Sequence, residues 1–213
     1  MLFRSQWKKY TSYLLALIAC IIGLVLSALP FIDKYKEYII SWGLIKDNFA
    51  VENLKASVYW SGFESLFGVF LIVGVGEMLF LISRKKIKQG IIGIFLISLL
   101  SINLTSWIIA PRIEQYSQGA AIEFYQYLQG KDCYVETIGF KSYAHLFYLR
   151  KKEQSNKNSY DMNWLLKGDI DKPTYFVAKI SSVEEIKKEN ADLKEIYRKN
   201  GFVFFIRNPK NAQ

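Results

Sequence analysis

The sequence has few of the residues that build disulfide frameworks and metal sites. It contains two cysteines, Cys20 and Cys133, and one histidine, His145. Cys20 lies inside an apolar run and Cys133 lies in a polar region, so the two are not expected to pair. No cysteine cluster accompanies the single histidine, so a metal site is not expected either.

Catalytic and cofactor-binding motifs are also missing. There is no P-loop, no glycine-rich dinucleotide turn, no nucleophile elbow and no metal-ligand spacing. We therefore expect no bound cofactor. Nucleic-acid binding has no support beyond the net charge of +9, because the basic residues do not form one patch.

The charged residues divide the chain into two unlike halves. Residues 1–111 hold 11 basic and 6 acidic side chains, whereas residues 112–213 hold 17 and 13. In the first half most basic residues flank apolar runs (Arg4, Lys8, Lys9 and the cluster at residues 84–88). In the second half the charge is diffuse. The pattern predicts a transmembrane region over residues 1–111 and a soluble domain over residues 112–213.

The stretch from Arg84 to Arg112 organises the rest of the chain. Its basic cluster precedes an apolar run over residues 90–110, and Pro111 follows that run. About 20 apolar residues suffice for a helix to cross a bilayer, because each adds about 1.5 Å. Positively charged loops stay in the cytoplasm, so residues 112–213 are expected outside it.

Two more apolar runs, over residues 11–30 and 58–83, predict two further spans. A cleaved signal peptide is the alternative for the first run, since residues 17–20 resemble a lipoprotein cleavage box. The apolar run continues past Cys20, and a retained helix explains its full length better. Three spans place the N-terminus and residues 84–88 in the cytoplasm, and residues 31–57 and 112–213 outside.

The loop over residues 31–57 contains a short apolar and aromatic segment, Tyr38–Ile45. This segment is too short to span a membrane. It suits a helix lying in the interface, with Trp42 at headgroup depth. A loop helix packed on the neighbouring spans is an equally good interpretation.

The predicted span over residues 58–83 contains two carboxylates and several glycines. Glu64 is near the outer end and is expected to reach headgroups or water. Glu77 is deeper, about 10 Å from the basic cluster, and an ionisable group at that depth is a functional candidate. The alternative is that its side chain snorkels toward Arg84 or Lys85. Four glycines permit close helix approach: Gly62, Gly68, Gly74 and Gly76.

The second half alternates between helical and strand patterns. A helix is predicted from Ile113 to about Gln129, a strand over Cys133–Ile138 and a helix over Ser142–Leu149, followed by a polar loop. A strand over Tyr175–Ile180, a helix opened by a Ser182–Glu185 capping box and ended by Asn200-Gly201, and a strand over Phe202–Ile206 complete the order. This α-β-α-β-α-β order predicts a small α/β sandwich.

One polar block in this half favours ligand binding. Lys141, Tyr143 and His145 follow a predicted strand directly, and α/β sheets often bind ligands at the carboxyl ends of their strands. The alternative is structural, with Tyr143 in the core and His145 hydrogen-bonded within the domain.

Several stretches resemble the C-terminal part of bacterial membrane glycosyltransferases of the GT-C type, the group of dolichyl-phosphate-mannose–protein mannosyltransferases and aminoarabinose–lipid A transferases. These stretches are Gly43–Ala50, Tyr59–Glu64, Lys141–Tyr148 and Asn200–Phe205. The resemblance implies a bacterial inner-membrane enzyme with an extracytoplasmic domain. It also implies transfer of a sugar from a polyprenyl-phosphate carrier to a lipid or protein acceptor.

The family's catalytic acidic residue lies in the first extracytoplasmic loop of a much longer membrane half, and no residue here corresponds to it. Three spans are also few for enclosing a polyprenyl chain and an acceptor. We therefore expect either a truncated gene product or a membrane partner that supplies further spans, with no activity in this chain alone. The alternative function is a non-enzymatic, membrane-anchored binding or assembly subunit.

Overall fold

The computed structural model describes residues 2–151 and 153–210, with side chains described from Lys9 onward. The chain divides into two compact units. The first comprises residues up to Tyr38 together with Ser57–Glu114, and the second comprises Ile39–Ala56 together with the residues from Gln115. The side chains of Arg4 and Lys8 lie outside the described set.

Apolar helices dominate the first part of the chain. Its helices are α1 (Leu2–Ala28), α2 (Ile32–Ser41), α3 (Asn48–Leu54), α4 (Ser65–Ser83), α5 (Ile87–Leu104) and α6 (Ala110–Ser117). A 3₁₀ turn, Leu29–Phe31, joins α1 to α2, and a π-helical turn, Thr105–Ile109, joins α5 to α6. Three continuous helical stretches are long and apolar enough to cross a membrane: Lys9–Ser41, Ser65–Ser83 and Ile87–Ser117. The prediction of three membrane helices followed by an α/β domain is confirmed.

Helix α4 contacts both α1 and α5. The buried core of this unit is formed by Ala19, Leu26, Leu71, Val75 and Ile109. A Cβ atom at Gly68 would collide with the backbone oxygen of Gly23, so the absence of a side chain lets α1 and α4 approach closely.

Two local features of this unit differ from the sequence predictions. Helix α4 begins at Ser65 and not at Val58, because Gly62 has a φ of 88° and turns the chain out of a helical path. The segment Tyr38–Ile45 is not a separate helix, since α2 runs through Ser41 and Gly43 has a φ of 66°.

The second unit is built on a four-stranded mixed sheet. Its later elements are α7 (Gly119–Tyr127), β1 (Tyr134–Ile138), α8 (Ala144–Tyr148), α9 (Met162–Lys167), β2 (Thr174–Lys179), α10 (Val183–Glu189), β3 (Lys194–Lys199) and β4 (Phe202–Arg207). The strand order is β1-β2-β4-β3. Strands β1 and β2 are parallel, and the other two pairings are antiparallel.

Helices cover both faces of this sheet, because alternate side chains of a strand point to opposite faces. Val177 and Phe204 pack with α7 on one face. Phe176 and Phe205 pack with α9 and α10 on the other. The central strands β2 and β4 are therefore apolar on both sides, which explains their nearly continuous hydrophobic runs.

The predicted helix from Ser182 to Asn200 is wrong in its second half. Helix α10 ends at Glu189, Ser182 makes no side-chain capping hydrogen bond, and residues 194–199 form strand β3. Asn200 has a φ of 51°, and Asn-Gly is a strongly preferred sequence for a tight turn between antiparallel strands. Asn200-Gly201 is thus a hairpin turn and not a helix end. The predicted helix over 113–129 is also divided, with a break at Gln118 between α6 and α7.

Helix α3, from the loop after the first apolar helix, belongs to the second unit. The Phe49 and Phe202 rings meet edge to face with centroids 5.1 Å apart. The Gly201 amide donates a hydrogen bond to Asn53 Oδ1 at 3.3 Å. Residues 48–54 and the sheet therefore lie on the same side of any membrane that the apolar helices cross. That agrees with three crossings.

Candidate functional site

The chain turns sharply after the edge strand β1 and presents a polar loop. Gly139 has a φ of 78°, a left-handed conformation that favours glycine. The Thr137 hydroxyl donates to the Phe140 carbonyl at 3.0 Å, and the Ala144 amide donates to Ser142 Oγ at 3.2 Å. These local bonds hold residues 140–143 in place ahead of α8.

Three ionisable side chains meet beside this loop. His145 Nε2 lies 3.2 Å from Glu136 Oε2, and Lys151 Nζ lies 2.7 Å from Glu136 Oε1. His145 is 4% exposed, and the Lys151 side chain is 9% exposed. Each carboxylate oxygen of Glu136 thus has its own nitrogen partner in a largely buried setting.

Burial and hydrogen bonding act in opposite directions on Glu136. Burial alone raises the pKa of its carboxyl, whereas the hydrogen bonds from His145 and Lys151 lower it. The bonds outweigh burial, so the pKa lies below the usual range. Glu136 is therefore held as an anion. His145 Nδ1, on the other side of the ring, is buried and has no hydrogen-bond partner among the described residues.

A cavity of about 650 Å³ opens over this cluster. Lys141 and Tyr143 reach it from the loop and are exposed, the latter by 80%. The cavity lining consists of Glu136, Thr137, Phe140, Lys141, Ser142, Tyr143, His145, Leu146, Lys151, Glu153, Tyr160 and Met162. We refer to it as the β1–α8 cleft.

The β1–α8 cleft brings together Lys141, Tyr143 and His145, which the sequence analysis predicted as ligand-binding candidates. Glu136 and Lys151 were not predicted. Glu136 is the charged residue of strand β1, and that charge was the signal available in the sequence. Lys151 belongs to a polar loop with many similar residues, so nothing in the sequence distinguished it.

Chemically, the β1–α8 cleft is better suited to binding than to bond breaking. Glu136 already accepts from two nitrogens, so it is not available as a general base without rearrangement. Lys141 is an exposed cation, and Tyr143 offers an aromatic face and a hydroxyl. Among residues 2–151 and 153–210, no group of three or more His, Cys, Asp or Glu side chains is arranged to hold a metal ion.

A second polar cluster lies in the first unit, where Glu64 is 2% exposed. Its carboxylate accepts from the Ser61 hydroxyl at 2.8 Å and the Gly62 amide at 2.9 Å. Arg112 Nη2 lies 2.8 Å from Glu64 Oε1, and Arg112 also donates to the Ile108 carbonyl at 2.7 Å. The expectation that Glu64 reaches headgroups or water is wrong, because these donors hold it inside the protein.

Glu77, the intramembrane candidate, lies in a different environment. It is exposed on α4 and has no hydrogen bond or ion pair within the described part of the chain. It belongs to the first unit, whereas the β1–α8 cleft belongs to the second.

Comparisons with known proteins give a partial structural likeness. No family model and no curated protein matches this sequence. The structure is similar to the crystal structure of ArnT from Cupriavidus metallidurans in the apo state, with a TM-score of 0.46 and 11% sequence identity. The alignment covers 95% of this chain, which spans 37% of the length of that one.

Proposed function

We propose that this chain is the C-terminal portion of a GT-C membrane glycosyltransferase that moves a sugar from a polyprenyl-phosphate carrier to a lipid or protein acceptor. In this proposal the β1–α8 cleft binds the polar part of the donor or acceptor outside the cytoplasm. The transfer chemistry itself is assigned to no residue of this chain.

The observation that supports the proposal most is the convergence of Lys141, Tyr143 and His145 on one cavity. They belong to the block that resembles the family. No other described residue of the cleft forms an ion pair with the Lys141 ammonium group. A phosphate is the kind of group that an exposed lysine meets through a charge-assisted hydrogen bond. A tyrosine face suits the apolar side of a sugar ring.

Binding of defined carriers tests this proposal. We expect the detergent-solubilised chain to bind geranylgeranyl phosphate more tightly than geranylgeraniol, which lacks the anion. Lys141→Ala should weaken binding of the phosphate by about twofold to fivefold, the range for an exposed charge pair. Fluorescence titration measures both affinities.

Lys188→Ala is the matched control, because Lys188 is also exposed but lies on α10, outside the cleft lining. It should leave both affinities unchanged. Equal binding of the phosphate and the alcohol, or equal effects of the two lysine substitutions, would contradict the assignment.

The proposed orientation has its own test. Single cysteines at Ser155 and Lys86, in a background with Cys20 and Cys133 replaced by serine, should label differently in intact cells with an impermeant thiol reagent. We expect labelling at position 155 and none at position 86. The reverse pattern would overturn the extracytoplasmic placement of the cleft.

A second function, that of a non-enzymatic membrane-anchored binding subunit, is favoured by one feature of the cleft. Both oxygens of Glu136 are already bonded to His145 and Lys151, which suits a fixed binding surface. Reconstitution of the chain with its membrane partner, followed by a sugar-transfer assay, separates the two functions. A binding subunit retains its stoichiometric partner in detergent but supports no sugar transfer that depends on Lys141.

A further inference from the structure

Helix α4 has one face packed against its neighbours and an opposite face that is exposed. Gly68, Leu71, Gly74 and Val75 are buried on the packed face. At about 100° per residue, the exposed positions centre on the opposite side of the helix. These positions, which we call the outer α4 face, are Leu66, Val69, Phe70, Val73, Gly76, Glu77 and Phe80.

Glu77 is the ionisable group on this face, and it lies deep. At about 1.5 Å per residue it is roughly 9 Å from Ser83 and roughly 18 Å from Ser65, the two ends of α4. A charged side chain near the centre of a transmembrane helix costs on the order of 3 kcal/mol when it faces lipid. Such groups therefore face protein or water.

The described chain does not supply a partner for this carboxylate. Arg84, the first basic residue after α4, has its guanidinium over the Phe80 ring, 5.0 Å from the centroid. Glu77 forms no ion pair with Arg84 or Lys85 within the described residues. The alternative that Glu77 snorkels toward Arg84 or Lys85 thus gains no support from an ion pair in the described chain.

Gly76 distinguishes the outer α4 face from a simple lipid-facing surface. Gly68 and Gly74 are occupied by contacts with α1 and α5, since added Cβ atoms there would meet Gly23 and Ile97. An added Cβ at Gly76 meets no atom within 4 Å. A glycine on an exposed helix face lets another helix approach closely, and here it adjoins the unpartnered carboxylate.

We propose that the outer α4 face docks a transmembrane helix of a partner protein, and that this helix carries a lysine or arginine at the depth of Glu77. Charge complementarity selects this partner. The apolar stretches of this chain contain no lysine or arginine at residues 10–33, 65–83 or 89–111. A second copy would therefore bring another carboxylate to Glu77 and no cation.

A designed helix of defined sequence tests this inference in lipid vesicles. The full-length chain carries a donor fluorophore, and the probe is a leucine-alanine transmembrane peptide with an acceptor and one central lysine at the depth of Glu77. We expect this peptide to associate about threefold to thirtyfold more tightly than the same peptide with leucine in place of lysine, the range for interhelical polar contacts.

Substitutions in the chain locate the contact. Glu77→Leu should remove the preference for the lysine peptide, and Gly76→Leu should weaken association with it by blocking close approach. Glu77→Gln should retain a hydrogen bond without the charge and give an intermediate preference. Leu96→Phe, on the exposed surface of α5, is the control for added bulk and should leave association unchanged. Circular dichroism checks that each variant keeps its helix content.

Two results would overturn the inference. One is equal association of the lysine and leucine peptides with the unsubstituted chain. The other is energy transfer between labelled copies of this chain in the absence of peptide that disappears in Glu77→Leu. The second result would assign the outer α4 face to a second copy.

Discussion

Glu64 and Glu77 lie at the start and in the second half of the same helical segment, yet their surroundings are opposite. Glu64 is buried and accepts from the Ser61 hydroxyl, the Gly62 amide and Arg112. Glu77 is exposed and has no partner in the described chain. Burial here accompanies pairing, because a buried carboxylate without donors loses its hydration and receives nothing in exchange.

This difference separates two roles for carboxylates at a membrane. Glu64 joins the loop before α4 to the end of the third apolar stretch through Arg112, so it stabilises this unit. Glu77 forms no hydrogen bond or ion pair within the described residues, and the partner helix proposed above would supply one. Substitutions at the two positions should therefore differ strongly in their effects on stability.

The largest expected effect is that of Glu64→Ala. It leaves Arg112 Nη2 and the Gly62 amide without the carboxylate that they contact, and removing one partner of a buried pair costs about 2–4 kcal/mol. Equilibrium unfolding in mixed detergent micelles measures this loss. Glu37→Ala, at an exposed position, is the control and should stay within about 0.5 kcal/mol of the unsubstituted chain. A double-substitution cycle of Glu64→Ala with Arg112→Ala that shows no coupling would contradict the pairing.

A smaller effect is expected for Glu136→Gln in the β1–α8 cleft. It removes the charge that His145 and Lys151 contact, and a hydrogen bond to a charged group contributes roughly 1.5–3 kcal/mol. Partial exposure of Glu136 places the loss at the lower end of that range. Thermal unfolding gives the magnitude. A loss at least as large as that of Glu64→Ala would contradict the proposed ranking.

Glu136 should also give a pH-dependent component of stability. Because its pKa is lowered in the folded chain, its stabilising contribution is present above the unfolded pKa and is lost as the pH falls through the folded pKa. The unsubstituted chain should therefore lose stability on acidification below about pH 4.5 more steeply than Glu136→Gln. Parallel pH profiles of the two proteins would show that the pKa of Glu136 is not lowered in the folded chain.

The smallest effect is expected for Glu77→Leu. In the isolated chain this change should alter the free energy of unfolding by less than about 0.5 kcal/mol or increase it, since Glu77 has no hydrogen bond or ion pair to lose within the described residues. The same micelle unfolding measurement applies. A loss of more than about 1 kcal/mol would indicate an intrachain role for Glu77 and weaken the contrast with Glu64.

The α/β unit shows how far sequence patterns predict a fold. Strands β1, β2 and β4 were predicted because short apolar runs end at glycine, proline or charged residues. Strand β3 was missed because Leu193, Ile196 and Tyr197 fit the spacing of a helix face as well as a strand. Pairing with β4 through the Asn200-Gly201 turn selected the strand. Asn-Gly was the local signal for this hairpin, but the sequence analysis took it for a helix end.

The β1–α8 cleft was partly predictable for a similar reason. Lys141, Tyr143 and His145 are close in the chain and follow a strand, so their proximity needed no knowledge of tertiary contacts. Glu136 and Lys151 are 15 residues apart, and the path of the chain through α8 brings them together.

The sequence by itself determined the three apolar helices, because apolar length acts locally. Only the tertiary structure decided which carboxylates have partners. Glu64 meets Arg112 because the first unit folds the loop before α4 against the end of the third apolar stretch. Glu77 faces away because Gly68 and Gly74 direct the opposite face of α4 toward α1 and α5. Pairing depends on which surfaces meet in space, and residues far apart in the chain decide that.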